Sequence, residues 1–230
     1  MKKIVSAVLG LAMGMGAVAA QAQDPKISQR LNNAAGVIQE IMATPDKGIP
    51  QSILAGAYCV VVIPSYKKAA FIVGGQYGKG AASCRTPTGW SAPVMVQLSG
   101  GSFGWQIGGQ STDLVLVAMN QNGLQHMLGA KFKLGADAAA SAGPVGRNAS
   151  AGTDWKLNSE FLTYSRSKGL FAGINLDGTV LNADSDDMRS EYGADIPFTQ
   201  VLAGKQPVPT NARHFVRTLS KAFVVSKTNR

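Results

Sequence analysis

Three consecutive runs decide the fold: FIVGGQYGKG (residues 71–80), GWSAPVMVQLSG (89–100) and GSFGWQIGGQSTDLVLV (101–117). Glycine inside apolar sequence weakens a strand unless the backbone must bend, bulge or lie close to another backbone. Ten glycines fall in these runs, which predicts a strongly curved, tightly packed sheet. Outward from this block, short apolar runs are separated by turn residues. YCVVVI ends at Pro64-Ser65-Tyr66-Lys67-Lys68, AAFIVGG at Tyr77-Gly78-Lys79-Gly80, and AASCR at Thr86-Pro87-Thr88-Gly89; WSAPVMVQL, FGWQIGG and DLVLVAM follow. KFKLGADAAASAG, EFLTYSR, GLFAGINL and TVL add further strands, the last two joined at Asp177-Gly178. Strands at this spacing predict a predominantly β chain of the α+β class, an antiparallel sandwich or barrel-like sheet.

Several runs are apolar on both faces, so something must cover the sheet. Pro25–Ala43 supplies a helix: Asp24 caps it, Pro25 suits the first position, and Ile27, Leu31, Ala34, Ala35, Ile38, Ile41 and Met42 recur at helical spacing. Pro50–Ala55 reads as a short turn and Asn122–Leu128 as a helical turn. After Gly204 the composition changes. Pro207 and Pro209 form an extended linker, and Asn211–Val225 reads as a second helix with Ala212, Phe215, Val216, Leu219, Ala222 and Phe223 on one side. Arg213, Arg217 and Lys221 follow at four-residue spacing on the other, and residues 205–230 contain no acidic residue.

Residues 1–22 carry the three parts of a secretory leader: basic Lys2 and Lys3, apolar Ile4–Ala20, and a small-x-small site at Ala20-Gln21-Ala22. Cleavage after Ala22 and a periplasmic or secreted destination are expected; the competing reading is an uncleaved anchor. The formal net charge is +9, and loss of the two leader lysines lowers it to +7. Such a balance favours anionic partners, and an exported protein meets membrane surfaces rather than nucleic acid. Cys59 and Cys84 read as one disulfide or as two buried thiols. In a flat meander the strands carrying them would lie about 9–10 Å apart, so a bridge requires strong curvature.

The fragments VVVIPSYKKAAFIVGGQYGKG, GWSAP, GGSFGWQIGGQSTDLVLV, KFKLGADAAASAGPVGR and YSRSKGLFAGINLDG, in this order, resemble the SYLF domain, the Ysc84 actin-binding domain family. The resemblance runs from about Ala55 to Leu181, with weaker flanks to about Leu202. It implies a lipid-binding module: eukaryotic relatives bind phosphoinositides, partly through an amphipathic N-terminal segment, and some bind or bundle actin. By position, Pro25–Ala43 matches that segment, making Lys26 and Arg30 candidates. Actin is a poor partner in a periplasmic setting.

Other motifs read plainly. Gly74–Gly80 lacks the first glycine and the Ser/Thr of a phosphate loop and reads as a Gly-rich turn. Asn182, Asp184, Asp186, Asp187 and Glu191 fail calcium-loop spacing and read as a solvated acidic turn. His126 and His214, the only histidines, assemble neither a zinc set nor a catalytic triad. Gly143–Arg147 reads as a tight turn, and Trp90, Trp105 and Trp155 as packing residues. An enzyme would need a polar pocket around His126 or Arg147, and no cofactor is implied.

The resulting expectation is a leader (1–22), a lipid-binding domain (23–204) and a basic tail (205–230). The domain binds anionic phospholipid without catalysis. Lys26, Arg30, Lys67, Lys68, Arg213, Arg217 and Lys221 are the candidate contacts, with Lys67 and Lys68 placed in a turn. The alternative is a protein-interaction or envelope-scaffolding module.

Overall fold

A computed structural model describes residues 24–43, 48–129, 131–146, 159–167, 170–193 and 195–224; the leader, Arg147 and Trp155 lie outside them. Helices α1 (Pro25–Ala43) and α2 (Gln51–Gly56) precede β1 (Cys59–Thr86), β2 (Gly89–Trp90) and β3 (Val94–Ala118). Then come α3 (Gln121–Leu128), β4 (Lys131–Lys133), β5 (Ala140–Ala142), β6 (Phe161–Ser167), β7 (Leu170–Gly173) and β8 (Val180–Ala183). The chain closes with α4 (Ser185–Tyr192), α5 (Phe198–Leu202), a 3-10 turn at Thr210–Ala212 and α6 (Arg213–Ala222). The sheet order is β2-β1-β3-β6-β5, antiparallel except for β5 on β6. β8 pairs with the start of β3 and with β4, while β7 pairs with β6.

The expected meander is in fact one strand. β1 and β3 pair from Cys59↔Ala118 to Ala82↔Val94 as a single long hairpin. Pro64-Ser65 is a bulge rather than a turn: Ser65 takes φ 56° and donates its N–H to Asp113 Oδ1 at 2.9 Å. That side chain replaces the ladder bond which the extra residues break. Tyr77–Gly80 is likewise strand, not turn. A Cβ on Gly80 would run into the Val62 carbonyl oxygen, and one on Gly78 would lie 2.6 Å from Ile63 Cγ2. The later half of β1 therefore crosses against its own earlier half, and these positions admit no side chain.

The curl is extreme. At about 3.3 Å per residue a straight strand would separate Cys59 from Cys84 by roughly 80 Å. Their Cα atoms are 4.0 Å apart and the two are bridged. Strong curvature, the condition a disulfide required, is met by a sheet curled into a half-barrel. Closing this loop stabilises by about 3.5 kcal/mol on the chain-entropy account. Beside the bridge, Arg85 N–H donates to the Tyr58 carbonyl at 2.7 Å. The Arg85 guanidinium donates to the carbonyls of Ala57 at 2.9 Å and Phe223 at 2.9 Å, and more weakly to Leu54 and Ala55. It thus ties the ends of α2 and α6 to the closure, lying 4.9 Å from the Trp90 ring centroid.

Val60–Ile63 and Leu114–Ala118 are buried at every position, as runs apolar on both faces require. α1 covers part of the sheet and packs against β1 and α6. Its Ile27, Leu31, Ile38 and Ile41 are no more than 2% exposed. At roughly 1.5–3 kcal/mol for each such side chain, this face docks the helix. Val37 completes it, while Met42, assigned to the same face by spacing, is 43% exposed in the last turn. In α6, Phe215, Leu219 and Ala222 are buried against the domain.

Two local features differ from what their spacing predicts. The acidic stretch Asn182–Glu191 is no solvated turn: Asp184 is 5% exposed and caps α4 by accepting from the Asp187 N–H. Asp177-Gly178 does turn, with Gly178 at φ 82°, but it joins strands that do not pair with each other. It redirects the chain from β6's neighbour to β3's.

A candidate cationic groove and a basic helix

The bulge in β1 and the exposed side of α1 leave a groove of about 280 Å³ between them. α1 contributes Lys26, Gln29, Arg30 and Asn33; the bulge contributes Ser65 and Lys67; the returning half of β1 contributes Tyr77 and Lys79. Strand alternation explains the last pair. Gln76, Gly78 and Gly80 turn inward, so Tyr77 and Lys79 turn outward. Gln76 fixes this register, accepting from the buried Tyr66 hydroxyl at 2.9 Å and donating to the Gly101 carbonyl at 3.2 Å.

The four cations of this groove are not equivalent. Arg30 donates to Asp187 Oδ2 at 2.5 Å, and Lys79 meets Asp184 at 2.5 Å and Asp187 at 3.0 Å. Both carboxylates stand at the N-terminus of α4, where the helix dipole also favours them. Burial alone would push the Asp187 carboxyl up, but hydrogen bonds from Arg30 and Lys79 outweigh it and hold it below the usual aspartate range. Burial would likewise lower the Lys79 ammonium, and its bonds to Asp184 and Asp187 carry it above its ordinary value instead. Lys26 and Lys67 are exposed and make no ion pair among the described residues. The groove therefore offers two free positive charges beside two that are already neutralised.

The remaining candidates lie elsewhere. Lys68, one position on from Lys67, is half-buried and does not line the groove. Arg213, Arg217 and Lys221 are exposed on the outer face of α6, with no hydrogen bond or ion pair among the described residues. Their helix contains no acidic residue, so nothing within it neutralises these charges. Lys79 and Tyr77 were missed because a Gly-Lys-Gly sequence suggests a turn; the spacing Gln76-x-Gly78-x-Gly80 was the available sign of a strand with small residues inside. Among the histidines, His126 sits 3.2 Å from Glu160, which also accepts from the Ala139 N–H. That pair fastens α3 to the start of β6.

A family profile described as Las17-binding protein actin regulator, Ysc84, matches residues 99–222, more than half of the chain. The chain belongs to the Ysc84 (SYLF) family. An SH3 domain-containing protein of Schizosaccharomyces pombe is 37% identical over 185 residues, covering 78% of this chain and 43% of that protein. The human SH3 domain-containing YSC84-like protein 1 is 32% identical over 177 residues, covering 76% and 52% respectively. Protein YSC84 of Saccharomyces cerevisiae is 32% identical over 183 residues, covering 77% and 39%. The chain thus spans about half the length of these curated relatives, or less. The profile match begins within β3 and ends in α6, so it contains Arg213, Arg217 and Lys221 and excludes the groove residues of α1 and β1.

Proposed function

We propose that this chain is a non-enzymatic interaction module that docks on an acidic protein surface through the outer face of α6. The observation that carries the reading is the row Arg213, Arg217 and Lys221, exposed and without an ion pair among the described residues, on a helix whose opposite face is buried. A docked helix holds its charges in fixed relative positions, which supports orientation and encounter with a partner of opposite sign. The row lies inside the segment matched by a family described through protein binding. The leader pattern and the Cys59–Cys84 bridge support an exported setting.

A second reading, anionic phospholipid, is favoured by the groove: a concavity with free Lys26 and Lys67 beside the exposed Tyr77 suits a phosphate group next to an apolar interface. One experiment separates the two. The chain is titrated with purified Las17 and floated with phosphatidylcholine vesicles with or without phosphatidylglycerol. Saturable Las17 binding without flotation supports the first reading. Flotation with the anionic vesicles alone, and no Las17 binding, replaces it with the second. Absence of both overturns each.

A further inference from the structure

Where the head of α1, the end of α4 and the turn before α6 meet, two buried oxygens lack a hydrogen-bond partner among the described residues: Glu191 Oε1 and Asn211 Oδ1. Their sister atoms are already joined. Asn211 Nδ2 donates to Glu191 Oε2 at 3.0 Å and to Ser28 Oγ at 3.3 Å. Buried acceptors without donors are rare in folded proteins and call for an explanation. A single proton on Glu191 Oε1 supplies one for both. The neutral acid donates Oε1–H to Asn211 Oδ1 while Oε2 keeps the Nδ2–H, the two-bond pairing of a carboxylic acid with a primary amide.

We propose that Glu191 and Asn211 hold a proton between them as an acid–amide pair, and that this proton fastens α1, α4 and α6 to one another in mild acid. The proton comes from solvent, and no other bond changes. The inference is independent of any partner. The surroundings agree with it. Burial pushes the Glu191 carboxyl up, and the charge of Asp24 adds to this, outweighing the opposing hydrogen bond from Asn211. Asp24 bears on the junction from the head of α1, where it also accepts from Ser190 Oγ at 3.4 Å. Tyr192, the neighbour within α4, is occupied in donating to the Pro93 carbonyl at 2.6 Å. The turn before α6 brings only the neutral Asn211, and no cation pairs with Glu191 among the described residues.

The test is thermal unfolding of the full chain and of Glu191→Gln between about pH 4, just below the ordinary glutamate value, and pH 8. A carboxyl whose folded pKa lies above its unfolded one contributes stability fully below the unfolded value and loses it as pH rises through the folded one. The amide introduced by Glu191→Gln is a permanent donor of the same shape and loses nothing. The variant is therefore expected to match the parent at the acid end and to melt about 2–4 °C higher at the alkaline end. A pH-independent difference, or a variant less stable at pH 8, overturns the proposal. Carbon-13 carboxyl titration gives a second reading: a Glu191 midpoint above the ordinary glutamate value of about 4.3 supports the shared proton, and one at or below it refutes it.

Discussion

Two sets of cations in this molecule look alike in sequence and differ in what surrounds them. Arg30, Lys79 and Arg85 are half-buried and spend their donors inside the fold, on Asp187, Asp184 and the carbonyls at the ends of α2 and α6. Lys26, Lys67, Arg213, Arg217 and Lys221 stand in water with no internal partner among the described residues. The first set holds the half-barrel closed and α1 in place; the second is left over for something outside. Positive charge on this surface is thus divided between cations held within the fold and cations left exposed, on which the proposed docking rests. Each set should fail in its own way: one on unfolding, the other on binding.

The sharpest break should come at Arg85. Replacing it with Met keeps the apolar stem over Trp90 but strips donors from the carbonyls of Ala57 and Phe223 at the closure of β1. Leaving buried acceptors unpaired costs about 1–3 kcal/mol each, so a total loss of roughly 3 kcal/mol is expected in urea unfolding. Partner binding by the folded fraction should be unchanged. If stability were unchanged and binding fell, Arg85 would belong to the other set.

Arg30→Met should cost less, about 2 kcal/mol, because Lys79 remains to face Asp187. This substitution also carries a pH signature. Asp187, held below the usual carboxylate range, contributes stability above its unfolded pKa and loses it as pH falls through its folded one. Glu191 is shifted the other way. The junction around α1 should therefore tighten in mild acid and loosen only in stronger acid. Arg30→Met, by releasing Asp187, should move the acid-unfolding midpoint upward; an unmoved midpoint would mean that the pair does not hold α1.

Much of the fold was legible because it is written locally. The spacing of Ile27, Leu31, Ile38 and Ile41, and of Phe215, Leu219 and Ala222, is enough to place two amphipathic helices, and both are found with those faces buried. The glycine density announced curvature, and the curl is there. Continuity of β1 was not legible. Pro64-Ser65 and Gly78-x-Gly80 look like punctuation along one dimension, and only distant groups turn them into a bulge and a crossing. Asp113 receives the Ser65 N–H, and Val62 and Ile63 fill the space beside Gly80. The candidate site shows the same limit. Lys26 and Arg30 stand one turn apart with similar prospects, until Asp187, distant in sequence, takes one of them.

The exposed set makes a smaller but more discriminating claim. Arg213→Gln, Arg217→Gln and Lys221→Gln together should leave unfolding within about 0.5 kcal/mol of the parent, since surface positions without partners carry little stability. If α6 is the docking face, Las17 affinity should fall by about 1 kcal/mol or less for each charge removed, and the loss should shrink as salt rises.

Lys67→Gln is the mildest change and the one that divides the two free patches. Lys67 stands at the bulge, outside the family-profile match, on the groove that α6 does not line. Near an anionic lipid surface one lysine is worth about 1 kcal/mol, close to a fivefold change in partition at low salt. A protein partner seated on α6 should not register it at all. Flotation that drops with Lys67→Gln, while Las17 binding stays level, would show two independent surfaces on one module. A parallel fall in both would merge the groove and the helix into a single face and dissolve the distinction between them.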